Sequence, residues 1–279
     1  MDNRKMPSLA VLGGDRRQQI LIGLLKDGGY TVTGEPTFRN EIVIGPVPCS
    51  KDGVTIHQLQ EWNRFGIREL FDKMKENNCR LFVAGAVSGD IRGQAAERGI
   101  KTVDLMELDQ VAVENAVPTA EGVIQAAMEN SDITLFGSRC LVLGYGRCGK
   151  VLARMLKGIG AEVSVEARKR ADYAYIKCFG YGLVELSGLD GRIGDFDFIF
   201  NTVPAMMLDG NLLGRVKRDC VILDIFSSGG VDYRKAEEFG IKALLMPSLP
   251  GRAAPKTAAV ILRDAIEGII RGEMNGHGF

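Results

Sequence analysis

The sequence predicts an α/β protein: two Rossmann-like, doubly wound domains with a cleft between them, joined by crossover helices that include the last helix of the chain. Three observations predict it. An apolar run from Arg139 to Leu143 ends in Gly144-Tyr145-Gly146-Arg147-Cys148-Gly149 and passes at once into a helical pattern, the order a dinucleotide-binding turn requires. The N-terminal half repeats the alternation of short apolar runs and helical patterns in looser form. Two longer helical segments, one opening near Pro118 and one carrying Ala258, Ile261, Leu262, Ala265, Ile266 and Ile269, bracket the glycine-bearing part. The expected boundaries are therefore 1–117, completed by 253–279, for an N-terminal substrate-side domain, and 118–252 for a nucleotide domain that includes the connecting helix.

In chain order, Leu9 to Leu12 reads as the first strand and Gly13-Gly14-Asp15-Arg16-Arg17-Gln18 as a turn. Ile20 to Lys26 follows as a helix, closed at Gly28-Gly29. Further strands fit Tyr30 to Thr33, Glu41 to Ile44, Arg80 to Ala84 and Lys101 to Val103, with helices near Ile67 to Lys75 and Gly93 to Arg98. The first turn lacks the GxGxxG spacing, so a dinucleotide is not expected there. It offers two arginines at a helix N-terminus beyond the carboxyl end of a strand, where open α/β sheets take ligands. Two readings stand: Asp15, Arg16 and Arg17 hold a substrate carboxylate, or Asp15 caps the helix and both arginines face solvent.

In the nucleotide domain, Gly144 permits the tight turn, Gly146 lets a pyrophosphate approach the backbone, and Gly149 lets helix and sheet pack closely. The helix N–H groups and dipole then face the phosphates. Val151, Leu152, Met155, Leu156 and Ile159 form its apolar face, Gly160 stops it, and Ala161 to Val165 is the next strand. Val163 and Val165 share a face that continues at Ala167, so Glu166 points the other way, and Arg168-Lys169-Arg170 follows. With no carboxylate at 167 and two cations beside it, NADP(H) is the expected cofactor; in the alternative, Glu166 turns in to bind the ribose of NAD. Asn201-Thr202-Val203-Pro204, closing the strand Asp197 to Phe200, is where ribose and nicotinamide pass, and the loop from Ile225 to Gly230 supplies carboxamide contacts. Tyr145, Arg147 and Cys148 complete the cofactor turn. Cys148 is either a reactive thiol at a helix N-terminus or a small packing residue.

Composition narrows the function. The 279 residues carry 35 basic and 35 acidic side chains, and no basic run is long enough to track a nucleic acid or an anionic membrane. No apolar stretch approaches twenty residues and no signal pattern opens the chain, so a cytoplasmic protein is expected. The six cysteines are scattered without a CxxC pair, and His57 and His277 are the only histidines, so no metal site is expected. A Ser-His-Asp triad is excluded on the same ground, as is a histidine acid/base unless His57 serves. His57 itself reads as a surface or capping residue.

The stretches Val11 to Gln18, Asn115 to Gly122, Leu141 to Gly149, Asn201 to Pro204 and Leu249 to Ala258 together resemble the A-subunit family of dipicolinate synthase from spore-forming bacteria. The nucleotide domain alone is also similar to hydroxy-acid, alanine and adenosylhomocysteine dehydrogenases. The resemblance implies oxidation of dihydrodipicolinate, derived from hydroxytetrahydrodipicolinate of the lysine pathway, with hydride passing to NADP and aromatisation helping to drive the reaction. It also implies a place in sporulation, in the mother-cell cytoplasm, and a partner, the flavoprotein-like B subunit of the same synthase. One departure stands out: a small residue is expected where Glu166 stands.

A flat dicarboxylate needs two cationic anchors, and Arg16 or Arg17 with Arg252 or Lys256 suits it. Thr119 and Glu121 are candidates for orienting the ring nitrogen or accepting a proton, and Glu121 and Lys256 are the candidate catalytic residues. In the bland alternative Thr119 caps a helix and Lys256 is an exposed lysine. A dehydrogenase of another small hydroxy or amino acid, and a non-catalytic NADPH-binding regulatory protein, are the rival functions. A homo-oligomer is compatible with this architecture.

Overall fold

The computed structural model describes residues 6–33, 40–58 and 65–272. The chain runs β1 (Ser8–Val11), α1 (Arg16–Asp27), β2 (Thr31–Thr33), β3 (Ile42–Ile44), α2 (Ile67–Glu76), β4 (Leu81–Ala84), α3 (Gly89–Ala96) and β5 (Lys101–Asp104), then the long helix α4 (Asp109–Glu129). It continues with β6 (Arg139–Leu143), α5 (Arg147–Ile159), β7 (Glu162–Glu166), α6 (Arg170–Cys178), β8 (Gly182–Val184), β9 (Phe198–Asn201) and α7 (Gly210–Leu213). Last come β10 (Val221–Asp224), α8 (Tyr233–Glu238), β11 (Lys242–Leu245), α9 (Leu249–Ala253) and α10 (Pro255–Arg271). Two compact units result, Met1–Glu114 with Pro255–Phe279, and Asn115–Ala254.

The first unit holds a five-stranded sheet in the order β2-β1-β3-β4-β5, with every pair parallel. Strand order reverses between β1 and β3, so the ligand-receiving edge lies beyond the carboxyl ends of those two strands. Leu21 and Leu25 of α1 and Ala259, Leu262, Ala265 and Ile266 of α10 belong to one buried cluster, which is why the last helix returns to this unit.

The second unit holds a six-stranded parallel sheet in the order β11-β10-β9-β6-β7-β8. From β6 this is the dinucleotide-binding order, with the switch point between β6 and β9. Alternate residues feed opposite faces. Cys140, Val142, Val163, Val165, Phe198 and Phe200 pack with Leu152 and Leu156 of α5, whereas Leu141, Leu143, Ile199 and Ile222 join the other cluster.

The expected helix start at Pro118 is corrected: α4 begins at Asp109 and carries Pro118 inside it. The proline lacks the N–H that would bond Glu114 four residues back, and the hydroxyl of the next residue, Thr119, donates to the carbonyl of Asn115 at 2.7 Å. Thr119 is therefore not a cap. The breaker cluster Pro247 to Gly251 forms the start of α9, entered through Ser248 in the left-handed region at φ 58°.

Candidate functional site

The turn from β6 into α5 has the properties a dinucleotide cradle needs. Gly144 sits at φ 90°, and a Cβ there would lie 2.7 Å from Val203 Cγ2 and 2.9 Å from Thr202 Oγ1. A Cβ on Gly149 would lie 2.1 Å from the carbonyl oxygen of Gly144, so the helix can meet the turn this closely only as glycine. At Gly146 a Cβ would meet nothing within 4 Å. That open space lies at the N-cap of α5, where the capping position is a glycine with no side chain of its own, so a phosphate can approach the start of the helix. A pyrophosphate fits these three properties together, and a purely structural turn does not need the third.

Around this turn the other expected cofactor residues fall into place unequally. Tyr145 is buried, with the Lys150 ammonium 5.2 Å from its ring centroid. Arg147 is exposed on the first turn of α5. Burial pushes the Cys148 thiol up against the pull of Arg147, so the reactive-thiol alternative loses its electrostatic basis. Thr202 fastens the β9 loop to β6, its hydroxyl donating to Leu143 O at 2.9 Å. Pro204 is exposed and Val203 is buried.

Asn201 requires a correction. Its side chain is fully buried and points into the fold, donating to Asp224 Oδ1 at 3.0 Å and accepting from Val203 N at 3.1 Å, so its amide is not available to the nicotinamide end. Asp224, which sequence reasoning passed over as the end of an apolar strand, gathers the donors. Besides Asn201 it takes Phe226 N at 3.0 Å, Tyr233 Oη at 2.8 Å and the N–H of Gly230. Burial and this carboxylate drive the Tyr233 phenol well above its ordinary range. One carboxylate thus fastens the loop after β9 to the loop after β10. Ile225 is half-buried in the second loop, its N–H donating to Asn201 O at 3.1 Å.

At the end of β7, Ala167 is small and buried among the apolar side chains of the face it shares with Val163 and Val165, as strand parity predicts. Glu166 is on the other face and only 1% exposed. Its Oε2 accepts from Gly144 N at 3.2 Å, and its Oε1 has no hydrogen-bond partner among the described residues. Arg168 and Lys169 are exposed and make no ion pair among the described residues. Lys169 occupies the N-cap of α6, which again no side chain caps.

In the first unit, Asp15 is the N-cap of α1 and accepts from Arg17 N at 2.9 Å. The expectation of two available guanidinium groups is corrected to one. Arg17 is buried and forms a two-pronged pair with Asp15, Nε to Oδ1 at 2.9 Å and Nη2 to Oδ2 at 2.7 Å, while Nη2 also donates to Val47 O at 2.6 Å. Arg17 and Asp15 build the turn, and Arg16 faces solvent with no ion pair among the described residues. His57 is half-buried rather than on the surface. Its carbonyl accepts from Gly14 N at 2.8 Å, and burial together with Lys51 holds the imidazole below its ordinary range against the pull of Asp15.

Glu121 is exposed on α4, and one residue on, a Cβ at Gly122 would lie 3.0 Å from Ala253 Cβ, so α4 packs on α9, whose Arg252 is exposed. Lys256 is exposed in the first turn of α10. No group of three or more His, Cys, Asp and Glu side chains able to hold a metal ion occurs among the described residues. None of the described helices is long and apolar enough to cross a membrane.

No family model matches the chain. It is 32% identical over 283 residues to the A subunit of dipicolinate synthase from Bacillus subtilis strain 168, an alignment covering 94% of this chain and 95% of that one. The crystal structure of the A subunit of dipicolinate synthase from Bacillus halodurans superposes with a TM-score of 0.87 at 28% identity, over 95% of this chain and 99% of that one. D-lactate dehydrogenase of Escherichia coli, at 17% identity, shares the fold with a TM-score of 0.65 over 96% of this chain and 98% of its own. Identity of this degree along nearly the whole length, on a fold whose glycine turn suits a nicotinamide dinucleotide, places the chain in the A-subunit family of dipicolinate synthase.

Proposed function

We propose that the chain is an NADP(H)-dependent oxidoreductase that converts dihydrodipicolinate to dipicolinate in the cytoplasm of a sporulating cell. The substrate loses a hydride and a proton, and the ring becomes aromatic. The observation that carries the reading is the open space over Gly146 at the N-cap of α5, in a chain 32% identical to a member of this family over 94% of its length. The bound nicotinamide supplies the hydride acceptor. What the chain supplies is a phosphate cradle, an adenosine pocket and a rigid pair of loops.

NADP(H) is favoured over NAD(H) because Arg168 and Lys169 stand exposed at the uncapped start of α6, beside a buried alanine rather than a reachable carboxylate. For the substrate carboxylates we assign Arg16 and Lys256, both exposed in the first unit, with Arg17 holding the turn that presents Arg16. Lys256 lies in the first turn of a helix, where the dipole disfavours a cation, so its charge serves something other than helix stability. Glu121, exposed on α4, is the candidate proton acceptor. The Bacillus subtilis relative is by name one subunit of a synthase, and we assign this chain a matching B subunit.

Incubation of the purified chain with enzymatically generated hydroxytetrahydrodipicolinate and NADP or NAD, with and without that partner, tests the reading. Pyridine-dicarboxylate formed with NADP supports it. Nucleotide binding without product under every condition would leave a regulatory role or a dehydrogenase of another hydroxy or amino acid.

A further inference from the structure

Glu166 is the only acidic side chain among the described residues that is buried with an unpaired oxygen. It closes β7, in register with Leu143 of β6 and Val184 of β8, so neither neighbouring strand presents a titratable group opposite it. Its Oε2 shares the N–H of Gly144, 3.2 Å away, with its own backbone carbonyl at 3.1 Å. Among the described residues, one shared donor is all that this buried carboxyl receives. The cation that acts on it is Arg168, exposed in the turn after β7, through space and without an ion pair among the described residues. Burial pushes the carboxyl above its ordinary range, and the Gly144 N–H and Arg168 pull it down by less.

With 1% of its surface exposed, Glu166 cannot meet a ribose hydroxyl unless the turn moves, which removes the direct NAD-selecting role. Its influence runs through Gly144 and Arg168. Both belong to the proposed dinucleotide site: Arg168, which favours the ionised form of Glu166 through space, is also the proposed ligand of the 2′-phosphate. A phosphate that engages Arg168 weakens the hold of Arg168 on Glu166, and a pyrophosphate at Gly146 adds negative charge to the same turn.

We propose that Glu166 is a proton-linked determinant of cofactor binding: its ionised form opposes the dinucleotide, its protonated form accepts it, and binding takes up a proton from solvent at Oε1 or Oε2. The proposal rests on the dinucleotide reading. It predicts that the linkage is stronger for NADP(H), which competes for Arg168, than for NAD(H). The 2′-phosphate itself, with a pKa of about 6, gives a dependence of the opposite sign, since its dianion binds cations better. The two are separated by substitution at 166.

The test is calorimetric titration of the whole chain with NADPH and with NADH from pH 6 to 9, in buffers of differing ionisation heat, for the wild type, Glu166→Gln and Glu166→Met. Two variants guard against a folding defect in either. Expected are net proton uptake on NADPH binding to the wild type, a dissociation constant that rises by up to about tenfold per pH unit, a smaller rise with NADH, and loss of uptake in both variants. Proton uptake and pH slope unchanged in Glu166→Gln and Glu166→Met would overturn the proposal while leaving the dinucleotide site intact. Absence of binding of either nucleotide to the wild type at any pH would overturn the site reading and this proposal with it.

Discussion

Gly146 and Gly149 lie three residues apart in one turn, yet alanine at the two positions should fail for different reasons. At Gly149 the added methyl would lie 2.1 Å from Gly144 O and 3.0 Å from its carbonyl carbon. The obstacle is backbone, with no side chain to rotate, so α5 or the turn must move by roughly 1 Å. Overpacking of this kind costs about 1–3 kcal/mol, and a rigid obstacle places Gly149→Ala near 3 kcal/mol. At Gly146 the methyl meets nothing within 4 Å, and φ is −78°. Gly146→Ala then costs only the poorer N-cap, under about 1 kcal/mol, but its methyl fills the space where the pyrophosphate would lie. Urea unfolding followed by circular dichroism should show a clearly lowered midpoint for Gly149→Ala and a nearly unchanged one for Gly146→Ala, while NADPH fluorescence titration shows at least about tenfold weaker binding in both, about 1.4 kcal/mol or more. Gly146→Ala binding NADPH as tightly as the wild type would refute the pyrophosphate site. A wild-type midpoint for Gly149→Ala would refute the close contact of helix and turn.

Arg168→Ala and Lys169→Ala should each weaken NADP(H) by about tenfold, the worth of a charge-assisted hydrogen bond, and change NAD(H) far less; equal losses for both nucleotides would remove them from the 2′-phosphate. Asp15→Asn keeps the cap but strips Arg17, whose side chain is 6% exposed, of its counter-charge, at a cost of about 3 kcal/mol. Burial raises the Asp15 pKa, but the hydrogen bonds and charge of Arg17 outweigh it, so the folded value is depressed. The stabilisation is therefore present above the unfolded carboxylate value, about 3.9, and lost as pH falls through the folded one, so acid unfolding of Asp15→Asn should lack that limb. Asp224→Asn turns an amide toward donors and should cost about 2–4 kcal/mol in urea, and ultraviolet titration should show the Tyr233 phenol returning toward its ordinary range.

The glycine turn was legible because each of its three glycines answers to a local requirement: a positive φ at Gly144, open space at Gly146, a backbone contact at Gly149. Spacing along the chain is enough to state those requirements. The start of α4 was not legible, because proline is favoured in the first turn of a helix and Pro118 reads as one; in the fold the N–H that Pro118 cannot give Glu114 is done without and the helix runs through. Short strands such as β8, three residues long and rich in no period, escape any pattern. Arg16 and Arg17 look equivalent in sequence, but successive helical residues lie about 100° apart, which turns one to solvent and the other onto Asp15.

The polar row at the carboxyl edge of the second sheet shows where such reading stops. Glu166, Asn201 and Asp224 end β7, β9 and β10, and parallel register sets Glu166 and Asn201 on either side of Leu143, with Asp224 beside Asn201. Strand parity announces that Glu166 faces away from Val165, but nothing local announces that Asn201 and Asp224, each closing an apolar run, meet one another. Because strand residues alternate, the same parity that sends Val165, Phe200 and Leu223 to one core sends these three to the other side. Two of them meet as donor and acceptor, and the carboxylate among them then collects the loops that follow β9 and β10. The third has no such partner among the described residues, so the acid that looked in sequence like a question about the ribose becomes, in the fold, a buried group under the glycine turn.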